Sequence, residues 1–232
     1  MWPFRDGARP GNGRRRRPEG APRPAPLTPE DLDAEWEQIG PDWRALRDRK
    51  ARRAAEDRAP RPLFYACSFQ RAATGELPAL TATDGPVEAL LWQRTQRRWG
   101  PTGRSSYELP SSGVILWFPR PLPLLGVYPR SPYWPATTSD FASTPKRLLH
   151  VWPVHVPGHT DTTVIVADGR VYRTVTTPEV LGGPQLANRH WHLEGRTAVA
   201  WSRGHAAPQL LHELAIDLHA AVAELAQHGL TE

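Results

Sequence analysis

Apolar positions in this chain recur at a helical period near its two ends and fall into short runs and alternations between them. Leu32, Trp36 and Ile39 form one stripe at i, i+4, i+7. Thr28 is the expected N-cap, Pro29 takes the first helical position, and Glu30 and Asp31 suit the positive end of the helix dipole. Gly40-Pro41 interrupts this helix, and a second is expected from Asp42 to about Arg58, with Trp43, Leu46 and several alanines as a thin apolar edge. Ala59-Pro60-Arg61-Pro62 reads as a linker. Leu63 to Phe69 then reads as a buried strand, and Gly85-Pro86 as the start of a helix reaching about Arg98, with Val87, Leu90 and Leu91 facing inward.

From there on the pattern is mostly β. Val114–Phe118 and Leu124–Tyr128 read as strands, and Leu148–Val156 as a strand whose Pro153 marks an edge or a bulge. Thr163–Ala167 and Arg170–Thr176 flank Asp168-Gly169, a strong hairpin signal because Asp-Gly supplies positive φ for a type I′ turn. His190–Leu193 and Thr197–Trp201 flank Glu194-Gly195 and predict a second hairpin. The clearest helix runs from Pro208 to about His228, its stripe built of Leu210, Leu211, Leu214, Leu218, Ala221, Val222 and Leu225 before a Gly229 stop. The order of elements predicts an α+β fold, a mostly antiparallel sheet with flanking helices. Three segments are expected: a disordered Arg/Pro-rich tail (1–27), a helical arm and linker (28–61), and an α+β body with a C-terminal amphipathic helix (62–232).

Composition sharpens this picture. The 232 residues include ten Trp, enough large apolar surface to offset an apolar fraction of 39%. Twenty-six Pro and eighteen Gly imply many turns. A single cysteine, Cys67, leaves no intramolecular disulfide and no cysteine-based zinc cage, and it fits a cytoplasmic setting. Met1-Trp2-Pro3-Phe4 is too short an apolar run for a secretory signal, and no stretch is long and apolar enough for a membrane-spanning helix.

Charge is the most uneven property of the chain. Residues 1–29 hold seven Arg against Asp6 and Glu19, which equals the whole net charge of +5. The remaining residues nearly cancel, so the pI of about 9.9 belongs to the tail rather than to the body. Arg14, Arg15, Arg16 and Arg17 are the first candidates for phosphate contact. Arg94, Arg97, Arg98 and Arg104, interleaved with Trp92 and Trp99, form a second candidate nucleic-acid surface, since guanidinium groups grip phosphates while indoles stack on bases. The basic run of residues 44–58 is offset by its acids and reads as a solvated face.

Histidines suggest a different chemistry. His190 and His192 stand two apart, on one face of a strand, and His155 and His159 are nearby in sequence; together they are the alternative metal-ligand set of a metal-dependent hydrolase. Pro157-Gly158-His159-Thr160-Asp161, with the strand and Asp-Gly turn after it, resembles the short element that carries a zinc-binding His in metallo-β-lactamase-fold hydrolases, and the resemblance makes His159 the matching ligand. That family's principal motif, two His one apart followed by Asp-His, is absent upstream, and no Gly-Asp follows the hairpin. No nucleophile-elbow, phosphate-loop, dinucleotide-binding or zincin motif occurs.

The leading expectation is therefore a non-enzymatic cytoplasmic accessory or adaptor protein without a cofactor, whose basic tail contacts nucleic acid or an acidic partner. A metal-dependent hydrolase is one alternative. A subunit of a larger assembly is another, docking a protein partner through the 28–58 arm by way of Trp36, Trp43 and Leu46.

Overall fold

A computed structural model describes residues 34–60, 68–79, 85–99, 106–129, 149–154, 162–167 and 189–227, with the single positions 170, 173 and 186. The tail, Cys67, and most of the predicted strand beginning at Leu63 lie outside the described residues. In chain order the elements are β1 (Trp43–Ala45), α1 (Arg49–Arg58), β2 (Arg71–Leu77), β3 (Val87–Trp99), β4 (Ser106–Pro129), β5 (His150–Val154), β6 (Thr162–Val166), β7 (His190–Arg203) and α2 (Pro208–Gln227). A helical turn at 34–37 precedes β1. The fold is α+β, with a mostly antiparallel seven-stranded sheet in the order β1-β2-β3-β4-β6-β5, and with β7 also paired to β4.

Two strands, β4 and β7, organise everything else. The first half of β4 lies between β3 and β7, with Leu91 opposite Val114 and Val114 opposite Ala200. Its second half lies between β6 and β7, with Val127 opposite both Val164 and Trp191. Between the halves the β4–β7 register shifts, from Trp117 to Leu122 and again to Leu125. Three prolines (Pro119, Pro121, Pro123) occupy this stretch of β4, and Gly195 with φ of +61° faces it from β7.

The shift changes which face each side chain reaches. Leu116 and Leu125, nine residues apart, bury in the same cluster, as do Leu193 and Ala198, five apart; strict alternation would put each pair on opposite faces. Both strands also bend at this level. The rings of His190 and Trp201 stack at 5.5 Å, although a straight strand would hold them roughly 36 Å apart. Tyr128, from the far half of β4, meets Trp201 edge-on at 6.1 Å.

Burial follows from that bend. One cluster joins α2 (Leu211, Leu214, Leu218, Val222, Leu225) to one face of the central strands, including Leu91, Val114, Leu116 and Ala200. The other lies on the opposite face and joins Leu90, Trp92, Ile115, Val199 and Trp201 to Tyr128 and Ile165 from the far halves. The α1 helix adds only small residues, Ala51 and Ala55, with Ala59 just after it, to that second cluster.

Several elements differ from the sequence reading. Residues 87–99 are strand β3, not a helix, because Leu90 and Trp92 bury on one face while Ala89 and Leu91 bury on the other. The predicted strands 114–118 and 124–128 are two parts of the single β4. Glu194-Gly195 is no hairpin turn: each half of β7 takes its partner from β4. Asp42–Arg58 divides into β1 and the shorter α1. Arg170 and Arg173 are helical rather than extended, and β6 already fills both its edges with β4 and β5. β5 pairs only with β6 among the described residues, which gives Pro153 the edge position its missing N–H requires.

Candidate functional site

The polar groups with most chemical potential lie where the two halves of the sheet face each other. His190, His192 and Glu194 alternate along β7 and share the face that carries Val199 and Trp201 beyond the bend. Tyr128 Oη lies 3.1 Å from His192 Nδ1, and His192 Nε2 lies 3.4 Å from Glu194 Oε2. A carboxylate that orients an imidazole, which in turn meets a hydroxyl, is the arrangement of a proton relay. Here it is sealed: Tyr128 and His192 are each 1% exposed, and the Glu194 side chain 10%. In that setting the relay supplies hydrogen-bond partners to buried polar groups and pins the far half of the sheet against β7.

Next to this line, His190 is stacked on Trp201 and tilted against Tyr128 at 6.0 Å. Desolvation of the imidazolium by burial pushes its pKa down from 6.5 to about 4, so the ring is neutral at physiological pH. Arg189, beside it in sequence, reaches back across the bend and donates from Nη1 to Ser202 Oγ. Burial lowers the pKa of this guanidinium too.

The structure brings His190 and His192 onto one face, as the sequence predicted, while His155 and His159 lie outside the described residues. Among the described residues no group of three His, Cys, Asp or Glu side chains stands within reach of one metal ion. Sequence reasoning missed the partners of His192. Glu194 was findable, because two residues along a strand return to the same face; Tyr128 was not, because a register linking β4 to β7 carries no local signal.

The second basic cluster separates. Arg94 is buried at 1% exposure, its Nε donating to Ser111 Oγ at 3.1 Å and its guanidinium carbon 5.2 Å from the Trp92 ring centroid. Arg94 is thus an interior residue and not part of an outward helical face. Arg97 and Arg98 stand on β3 opposite Glu108 and Tyr107, and Arg104 lies outside the described residues. The expected docking residues Trp36, Trp43 and Leu46 are buried at 3%, 8% and 8% within the chain's own clusters. Trp43 also meets His212 of α2 edge-on at 5.5 Å, which ties β1 to the C-terminal helix.

Two polar contacts fasten α1 to the sheet. Arg58 makes a two-pronged ion pair with Glu88, both bonds 2.6 Å, and its guanidinium lies 4.5 Å from the Trp117 ring centroid. The hydrogen bonds from Arg58 hold the Glu88 carboxyl below its usual range. Glu56 turns inward and accepts from the Phe69 backbone N–H.

No family model, no curated protein and no solved structure matches this chain. No helix among the described residues is long and apolar enough to cross a membrane.

Proposed function

We propose that this is a non-enzymatic cytoplasmic accessory or adaptor protein whose Arg-rich leading segment contacts nucleic acid or an acidic partner. The observation that carries this reading is the segregation of charge: residues 1–29 contain the equivalent of the whole +5, and the rest of the chain nearly cancels. A run of four arginines with so little opposing charge offers a polyanion a weak, sequence-independent and steeply salt-dependent hold. The interior supports the same reading. His190 stacks on Trp201 and His192 bonds within the Tyr128–Glu194 network, so both imidazoles have structural roles, while the burial of Arg94 takes it out of the candidate nucleic-acid surface and leaves that contact to the tail.

The test is fluorescence anisotropy of the full chain on a short labelled DNA duplex over a range of salt concentrations. Neutralising about four to six phosphates gives a log–log salt slope of roughly −4 to −5. Replacing Arg14, Arg15, Arg16 and Arg17 together by Gln is expected to remove most of the affinity. Affinity unchanged by those four substitutions refutes the tail as the contact. Polyglutamate competing as well as DNA at equal charge assigns the tail to an acidic protein partner instead.

A further inference from the structure

Five of the ten residues of α1 are basic, and its first turn contains no acid. Arg49 and Lys50 stand at the helix start, where the backbone dipole already repels cations, and Arg53 lies one turn on, beside both. Arg49, Lys50 and Arg53 are exposed. Most of the acids around this segment have a partner in place. Asp48 accepts from the Lys50 backbone N–H as the N-cap, Glu56 accepts from Phe69, Glu88 is held by Arg58, and Glu37 pairs with Arg47 at 3.2 Å. Asp57, also exposed, is the one acid left on this face of α1. Arg52 is also spent, donating to the carbonyls of Leu46 and Arg47. Three exposed cations therefore share one helical turn, with Asp48 and Asp57 as the nearby acids, and an added anion would lower their mutual repulsion.

We infer that Arg49, Lys50 and Arg53 form a phosphate-backbone contact on the body of the protein that continues the grip of the Arg-rich tail on nucleic acid. This rests on the reading of the tail proposed above. The exposed face of α1 offers Ala54 as its single apolar side chain. A membrane surface needs large apolar side chains to insert, and a protein partner needs a buried anchor; a phosphate backbone needs only charge.

The experiment uses the full chain and the same labelled duplex. The triple variant Arg49→Gln, Lys50→Gln, Arg53→Gln removes the charges while keeping good helix formers, and a thermal melt by circular dichroism checks that the fold is intact. Losing three phosphate contacts flattens the salt slope by about 2 to 3, with the tail unchanged. A slope and affinity equal to wild type in the triple variant, with binding still abolished by the tail substitutions, overturn the α1 contact and leave the tail reading standing. Wild-type protein that fails to bind the duplex at low salt overturns both. Residual binding by the tail variant that the α1 substitutions then abolish supports the α1 contact independently of the tail.

Discussion

Lowering the pH tests the bend through His190. The ring lies between Tyr128 and Trp201 at 8% exposure, and burial holds its pKa near 4 against 6.5 in the unfolded chain. Because the folded value is the lower one, the unfolded chain takes up the proton first as pH falls. Stability is therefore unaffected by this group above about pH 6.5, declines between 6.5 and 4, and levels off below. A gap of about two and a half pH units at about 1.4 kcal/mol each gives a full loss of about 3.5 kcal/mol, of which about 3 kcal/mol is reached by pH 4. That is a large share of the 5–15 kcal/mol typical of a folded domain. The comparison is His190→Gln, which is uncharged throughout. It loses the stacking on Trp201 at neutral pH but lacks the acid decline. Urea unfolding followed by tryptophan fluorescence, at about pH 7 and about pH 4, gives four free energies. The advantage of wild type over the variant is expected to shrink by about 3 kcal/mol between the two pH values. Glu88, whose pKa is depressed, loses its own stabilisation as pH falls below 4.5, but equally in both proteins, so it cancels. A wild-type advantage that is the same at both pH values refutes the burial of a neutral imidazole at this position.

Two further perturbations probe the same architecture. Gly113 pairs with Trp201 where β4 has no room for a side chain: an added Cβ would stand 2.2 Å from the Ala200 carbonyl oxygen and 2.8 Å from Trp92 Cζ2. Gly113→Ala is expected to cost about 3 kcal/mol or more in urea unfolding, and a loss below about 1 kcal/mol would contradict the pairing. The Arg58–Glu88 pair is half-exposed, at 52% and 41%, so a double-mutant cycle with Arg58→Ala and Glu88→Ala should give a coupling of only about 0.5–1 kcal/mol, weakened by salt; a zero coupling would show that the pair does not help to hold α1 on the sheet.

The periphery of the fold was easier to read than its centre. The stripe of α2 predicted its boundaries because one face is wet, and β6 was placed within a residue. Leu210, assigned to the buried stripe, proves to be 43% exposed. The strand β3 misled because burial on both faces erases alternation, while Pro86 and Glu88 imitate the start of a helix. Glu194-Gly195 was read as a hairpin turn, but the positive φ of Gly195 serves a bend within one strand rather than a turn between two. Charge was legible in amount and not in availability. Which acids around α1 remain free to neutralise it depends on contacts such as Arg58 with Glu88, thirty residues apart in the chain.

The bent pair of central strands also sets an order of events at the ribosome. β1 to β4 can form a meander from nearby residues as they emerge, but the free edge of β4 must wait for β7. Ser111 finds its partner in Arg203, and Val127 in Trp191. Until residue 203 is synthesised, a 24-residue strand bearing Val114, Ile115 and Leu116 stands with one edge open, and α2 has not yet been made to cover its face. Pairings of such long sequence separation close slowly, and an open apolar edge invites strands from other chains. Truncation anywhere before β7 should therefore yield an aggregating fragment rather than a smaller stable domain.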